Sequence, residues 1–416
     1  MLLALLACSS PEPPPPPRPD RPPDLVVVSV DTLRADRLSA WGYERETSPE
    51  LSRLAASSIL YDRAIAPAPW TLPSLASLFT GLFPSGHGVV RPDLGLSPEH
   101  MTAAEILGMM GYETAFFGVN AYLEQDHGLS QGFMTWDAHT GLSGRQLLNR
   151  VEAFLAARDP ARPLYLVVHF FEPHCRYRAP EDLHGRFEPE APSTRRLPQA
   201  DYDRMGGCYQ LQRADGSPEL DLAVYDARYD EEVLEVDGLL GRLWRRVAPL
   251  NPWLAVVGDH GEAFWEHGDF GHGRQLYQEQ VRVPLLVRPV GGVKGRVVRT
   301  PTSTLLLAHR LLSTAGVELE PQETLVALTE TDHEGHRLRA VVKEEVSILH
   351  DLTTGVVVTH DLSQDPGETR PVVLEATQAQ RVLEELFATS APGPAPVPWG
   401  GTPESQEALE ALGYVE

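Results

Sequence analysis

From Asp24 onward, short uninterrupted apolar runs alternate with stretches in which apolar residues recur every third or fourth position. Leu25-Val26-Val27-Val28-Ser29-Val30 is rich in β-branched residues and shows no polar alternation, the pattern of a parallel strand covered on both faces. Leu164 to Val168 and Trp253 to Val257 repeat it, and Val283 to Val287 is a fourth candidate. Between them, Leu222, Tyr225, Tyr229, Val233, Val236, Leu240 and Leu243 mark the apolar stripe of a long helix. Strands alternating with helices predict an α/β fold built on a doubly wound sheet. In such sheets ligands bind beyond the carboxyl ends of the strands.

The texture changes near Glu318, so residues 24–318 read as the catalytic domain and 319–416 as a C-terminal subdomain and tail. Arg337 to Val342, Val346 to His350 and Val356 to Asp361 read as short strands joined by turns such as Thr353-Thr354-Gly355. A helix over Val373 to Leu386 follows, predicting a small antiparallel sheet with one packed helix. Ala391 to Gly401 is rich in Pro and Gly, and a short helix is expected around Glu404 to Leu412. There are no internal repeats.

The N-terminus reads as targeting. Met1 to Cys8 (MLLALLAC) resembles the remnant of a bacterial lipoprotein signal, in which the cysteine becomes lipid-modified. Nine of the thirteen residues from Pro11 to Pro23 are proline, so residues 9–23 form a stiff spacer. The expectation is an exported bacterial protein, lipid-anchored through Cys8 in the periplasm or at the cell surface. That anchor is the expected membrane contact, because no later run approaches the ~20 apolar residues of a spanning helix. Beyond Cys8 only Cys175 and Cys208 occur, and spacing leaves open whether they pair. The 35 basic against 58 acidic residues give a net charge of -23, which argues against nucleic acid as a partner. An anionic small substrate requires a local cation to override that field.

Polar residues at the strand ends are where such a cation can sit. Asp31 follows the first strand, Asp259 and His260 follow the Trp253 strand, and His169-Phe170-Phe171-Glu172-Pro173-His174 follows the Leu164 strand. A single aspartate there is commonly a helix cap, but carboxylates converging with a histidine can hold a divalent cation. A second constellation is Trp70-Thr71-Leu72-Pro73-Ser74. Here a hydroxyl either caps a proline-started helix or, beside a cation, becomes a nucleophile.

Taken in order, Asp31, Thr71 to Ser74 leading to Thr80-Gly81, Ser85 to Gly88, and Gly258-Asp259-His260-Gly261-Glu262 resemble the sulfatase family of the alkaline phosphatase superfamily. His169 to Pro180, Gly271 to Arg274 through Val283-Pro284-Leu285, Asp361 to Glu368 (DLSQDPGE) and Leu409 to Glu416 extend the likeness over about residues 24 to 416. The resemblance implies an alkaline-phosphatase-like mixed sheet. It also implies a divalent cation (Ca, Mg, Mn or Zn) at one site held by Asp31, Asp259 and His260, with Thr71 as remaining ligand and nucleophile. A second site would draw on Glu172, His174 and His272, whose spacing departs from the usual pattern of two-zinc members. His174, His272 and Arg274 fall where the family binds the anionic ester or protonates its leaving oxygen. Asn120 takes the substrate-binding position where many sulfatases carry a lysine. Thr32 replaces the second aspartate of the usual pair, and His260 replaces the common asparagine. His87, His127 and His267 are expected to be structural or solvent-facing.

Thr71 is the informative departure. Sulfatases carry Cys or Ser there and oxidise it to formylglycine; threonine cannot mature in that way, and the motif's arginine is Leu75. A formylglycine hydrate expels sulfate by collapsing to the aldehyde, whereas a threonine ester must be cleaved by water at the central atom. The expectation is therefore a phosphate mono- or diesterase acting on a small molecule, glycan or lipid. The alternatives are a sulfatase without formylglycine, a phospho-alcohol transferase, and a non-catalytic surface-binding protein. Specificity is expected from the loop between about Arg178 and Glu219.

Overall fold

The computed structural model describes residues 21–319, 326–371, 376–388 and 393–399. Its centre is a nine-stranded mixed sheet. The order runs Arg296–Val298, Ile59–Ile65, Arg282–Arg288, Trp253–Gly258, Leu25–Val30, Leu164–Phe170, Glu113–Val119, Thr135–His139, and Thr302–Ser303 also pairs with Ile59–Ile65. Only Arg282–Arg288 runs against both of its neighbours. The four predicted strands lie side by side at the centre, because a continuous apolar run is tolerated only where both faces are covered.

The strand period of two sorts each run between two cores. Leu25 and Val27 face the helix Thr71–Thr80, packing with its Leu72, Leu75, Ala76 and Phe79. Val26, Val28 and Val30 face the long helix Leu222–Val247, with its Tyr225, Tyr229, Val233 and Val236. Five strands of this sheet lie outside the prediction; Arg296–Val298 and Thr302–Ser303 are very short, and each of the other three hides its pattern. Ile59–Ile65 is interrupted by Asp62 and Arg63, Glu113–Val119 opens on polar residues, and Thr135–His139 is a half-buried edge.

The small sheet has four antiparallel strands, Ala327–His333, His336–Lys343, Val346–Asp351 and Val357–Asp361. One face packs Ala340, Val342 and Leu349 against Ile65, Leu276 and Val281 of the large domain. The other packs Val341 and Ile348 against Leu383 and Phe387 of the helix Ala376–Ala388. The first of these strands escapes prediction because Thr329, Glu330, Thr331 and Asp332 make it polar. The Cys8 region, the Pro-rich run up to Asp20, the expected helix at 404–412 and the closing Leu409–Glu416 motif lie outside the described residues. Among the described residues no helix is long and apolar enough to cross a membrane.

Candidate active site and metal centre

Register sets the site. Val30 pairs with Gly258 on one side and Phe170 on the other, so Asp31 and Asp259 leave the sheet at one level. The backbone N–H of Asp259 donates to Val30 O at 3.2 Å, and that of Asp31 donates to Phe170 O at 2.9 Å. Alternation then aims their side chains at the face covered by the helix Thr71–Thr80, the face of Leu25, Val27, Ala255 and Val257. Trp70 is the N-cap of that helix and gives no side-chain cap, so Thr71 is its first helical residue and does not cap it. Ser74 Oγ donates to Asp259 O at 2.6 Å, tying the helix start to the strand end.

The hydroxyl of Thr71 is buried among the predicted partners. It lies 3.5 Å from Asp31 Oδ1 and 3.3 Å from His260 Nε2. Asn120 Nδ2 donates to Asp31 Oδ2 at 2.8 Å and approaches the Thr71 oxygen at 3.5 Å. Asn120 also caps the helix Ala121–Glu124 by accepting from Tyr122 N. Its amide is thus fixed against the centre. His260 Nδ1 donates to Gly261 O at 2.9 Å, which turns Nε2 toward Asp31 and Thr71.

Two buried side chains show that these residues suit a cation. Among the described residues Asp259 Oδ2 has no hydrogen-bond partner, and neither ring nitrogen of the fully buried His169 has one. Orphaned buried polar groups are costly. One ligand atom from each of Asp31, His169 and Asp259 can be chosen so that all lie within 4.8 Å of one another. The sequence places His169 just past the Leu164 strand; the strand in fact runs on to Phe170, so His169 lies inside it. Its face follows from parity: Tyr165 and Val167 face the Thr71 helix, so His169 does too.

Charge follows from the same crowding. Burial pushes Asp259 up to about 6, with Asp31 adding to the rise. Burial would also raise Asp31, but the imidazoles of His169 and His260 outweigh it and hold that carboxyl well below the usual range. Burial would lower His260, yet Asp259 and Asp31 lift it to about 9.

His174 and His272 form the second half of the site, with ring centroids 5.1 Å apart and His272 4.4 Å from His260. Burial lowers both imidazoles, His174 to about 4, so both are neutral at neutral pH. Glu262 Oε1 accepts from His272 Nδ1 at 3.0 Å, and Tyr177 and Tyr209 donate to the same carboxylate. Burial lifts Glu262 to about 7. Its ionised form, which accepts from His272, is present above that pH and is lost as pH falls through it. Glu262→Gln should therefore lower kcat/KM by about 10- to 100-fold and flatten a rising limb near pH 7, measured as a pH–rate profile.

The loop expected to set specificity is stapled at this point. Cys175 and Cys208 form a disulfide, Cα–Cα 5.5 Å, beside His174 and Tyr209. Replacing both by serine closes no loop in the unfolded chain and should cost roughly 3 kcal/mol, read from denaturant unfolding.

Arg274 is held by two carboxylates. It pairs with Asp269 at 3.1 Å and Glu334 at 3.3 Å, at the edge of an open cleft of about 900 Å³ that Leu338, Leu349 and Val358 of the small sheet help line. Glu172 is turned to the start of the helix Gly144–Ala157, where it accepts from Gly144 N at 2.8 Å. His333, from the first small-sheet strand, has its ring centroid 4.5 Å from that of Trp70, tilted by 36°. His87, His127 and His267 hold backbone or side-chain partners away from this centre.

The Sulfatase family model matches residues 23–317, most of the chain. The protein belongs to the sulfatase family. Among curated sulfatases, the uncharacterized sulfatase YidJ of Escherichia coli is 23% identical over 355 residues, 74% of this chain and 71% of that one. Among solved sulfatase-like folds, the phosphonate monoester hydrolase of Agrobacterium radiobacter aligns with a TM-score of 0.71 at 21% identity, covering 89% of this chain and 96% of its own. BT4656, solved with its substrate D-glucosamine-2-N,6-O-disulfate, aligns at 0.71 and 18% identity, covering 89% and 97%. The large mixed sheet with a small antiparallel sheet is the sulfatase-like architecture, and sulfatase-family hydrolases act with a divalent cation on anionic esters.

Proposed function

We propose that this sulfatase-family hydrolase cleaves phosphate mono- or diesters through Thr71. The observation that carries the reading is a buried threonine hydroxyl within 3.5 Å of Asp31, His260 and Asn120, at a position where the family's formylglycine cannot form. Asp31, Asp259, His260 and Thr71 would hold one divalent cation, which would supply charge to polarise the ester and to favour the ionised form of the Thr71 hydroxyl. Asp31 and Asn120 fix the direction of the Thr71 oxygen for in-line attack on phosphorus. His174 and His272, neutral at rest, gain basicity beside an anionic ester, and one of them protonates the departing alcohol. Water then cleaves the phosphothreonine at phosphorus with the same imidazoles acting in reverse. Arg274, at the cleft edge, meets the outer part of the substrate, a small molecule, glycan or lipid.

A second reading, a sulfate ester hydrolase, is favoured by the family match and by the disulfated substrate of BT4656. Metal-dependent turnover of p-nitrophenyl phosphate, bis-p-nitrophenyl phosphate and p-nitrophenyl sulfate separates the two. The expected result is phosphoester turnover dominating; dominant sulfate turnover replaces the first reading by the second. Export and a lipid anchor at Cys8 belong to the same proposal, and a disulfide beside the site supports an oxidising compartment.

A further inference from the structure

We propose that His169 is an additional ligand of the cation site and that, with His260, it makes the site selective for a first-row transition dication such as zinc over calcium. This deepens the cation site on which the proposed function rests. His169 has no exposed surface, and it lies at the carboxyl end of the strand Leu164–Phe170, level with Ser29 on one neighbour and Gly118 on the other. Neither strand neighbour offers it a hydrogen bond, and among the described residues neither ring nitrogen has a hydrogen-bond partner. Its Nε2 faces Asp31 Oδ2 at 3.5 Å. Across the same space Asp259 Oδ2 also lacks a hydrogen-bond partner among the described residues and faces His260 Nε2 at 3.7 Å. One ion between the carboxylates of Asp31 and Asp259 and the imidazole of His169 satisfies every one of these groups except the second ring nitrogen.

The donor set decides the ion. Asp31, Asp259 and Thr71 supply oxygen, while His260 and His169 supply two imidazoles. Calcium takes about six to eight oxygen ligands. Magnesium keeps several waters, for which a centre with no exposed surface on Asp31, Thr71, His169 or His260 leaves little room. Two imidazoles with two carboxylates suit zinc, cobalt, manganese or iron, and the order of affinities favours zinc over manganese.

The test uses the full chain freed of metal with a chelator. Dialysis against equal zinc and calcium, followed by elemental analysis, should show zinc retained with at least ~100-fold preference. Cobalt bound to the wild type should give a visible absorption band that His169→Ala and His169→Gln both shift. The same variants should weaken zinc and cobalt binding by about tenfold or more and leave calcium binding unchanged. Calcium bound as well as zinc, or a cobalt spectrum indifferent to His169, overturns the proposal. Should the variants fail to fold, proton NMR of the cobalt wild type still decides: two sets of hyperfine-shifted imidazole resonances are expected, and one set overturns it. The outcomes separate from those of the functional reading. Zinc selectivity without phosphoester turnover sinks only the latter, and phosphoester turnover with a His169-independent site sinks only this one.

Discussion

Thr71→Ala should abolish phosphoester turnover, by about 10⁴-fold or more in kcat, while leaving the fold intact. The size follows from the role: deleting a nucleophile removes the covalent route and leaves only what binding and electrostatics contribute. The fold should survive because Thr71 does not cap its helix; Trp70 is the N-cap, and the helix Thr71–Thr80 is held by Leu72, Leu75, Ala76 and Phe79. Stability should therefore change by within about 1 kcal/mol. Thr71→Ser keeps the oxygen and should recover part of the rate. Rapid quenching of wild type with a phosphoester should place a phosphate on the peptide containing Thr71. An alanine variant keeping more than roughly a tenth of the wild-type rate would remove Thr71 from the chemistry, whatever the substrate.

Asp259→Asn should separate cation binding from folding. In the metal-free protein the Asp259 carboxyl is pushed up to about 6 because it is buried and lies beside Asp31. An acid whose folded pKa is raised stabilises the fold least where it is ionised, so its cost is absent below its ordinary value and complete above about pH 6. A bound cation should remove that cost in the wild type. At cation concentrations about 100-fold above Kd, binding should add about 2.7 kcal/mol, and a chelator should reverse it. The substituted amide has no charge to bury, so the metal-free variant should be at least as stable as the metal-free wild type at about pH 8. It should gain little on adding cation and lose turnover. Calorimetric scans with and without chelator measure both effects. A variant that still gains the full wild-type increment would show that Asp259 is not a ligand.

Part of this site is legible because parallel strands and their ends leave a local signature. The runs at Leu25, Leu164 and Trp253 read as central strands, since a short run with no polar alternation asks to be covered on both faces. Asp31, Asp259 and His260, just past two of those ends, are the natural candidates, and the structure gathers them with Thr71 and Asn120. The strands Ile59–Ile65 and Ala327–His333 stay hidden because their polar residues break the apolar pattern, and tertiary neighbours cover them. His169 is legible as a polar residue at a strand end, but its face is set by parity with Tyr165 and Val167, which places it on the side of Thr71.

By itself the chain determined the α/β class, the order of the family's motifs, and a threonine where the formylglycine precursor belongs, since each is written in contiguous residues. Tertiary structure alone decided the pairing of Cys175 with Cys208, the pairing of Arg274 with Asp269 and Glu334, the alignment of Glu262 with His272, and the approach of His169 to Asp31. The cysteines and the His169–Asp31 contact join residues far apart in the chain, and sheet register or loop closure brings them together. Arg274–Asp269 and Glu262–His272 are closer in sequence, but each depends on how the Gly261–Arg274 segment folds back on itself. Sequence spacing carries hydrophobic period, which acts locally, whereas distances between side chains on different strands and loops are set only once the sheet has closed its register.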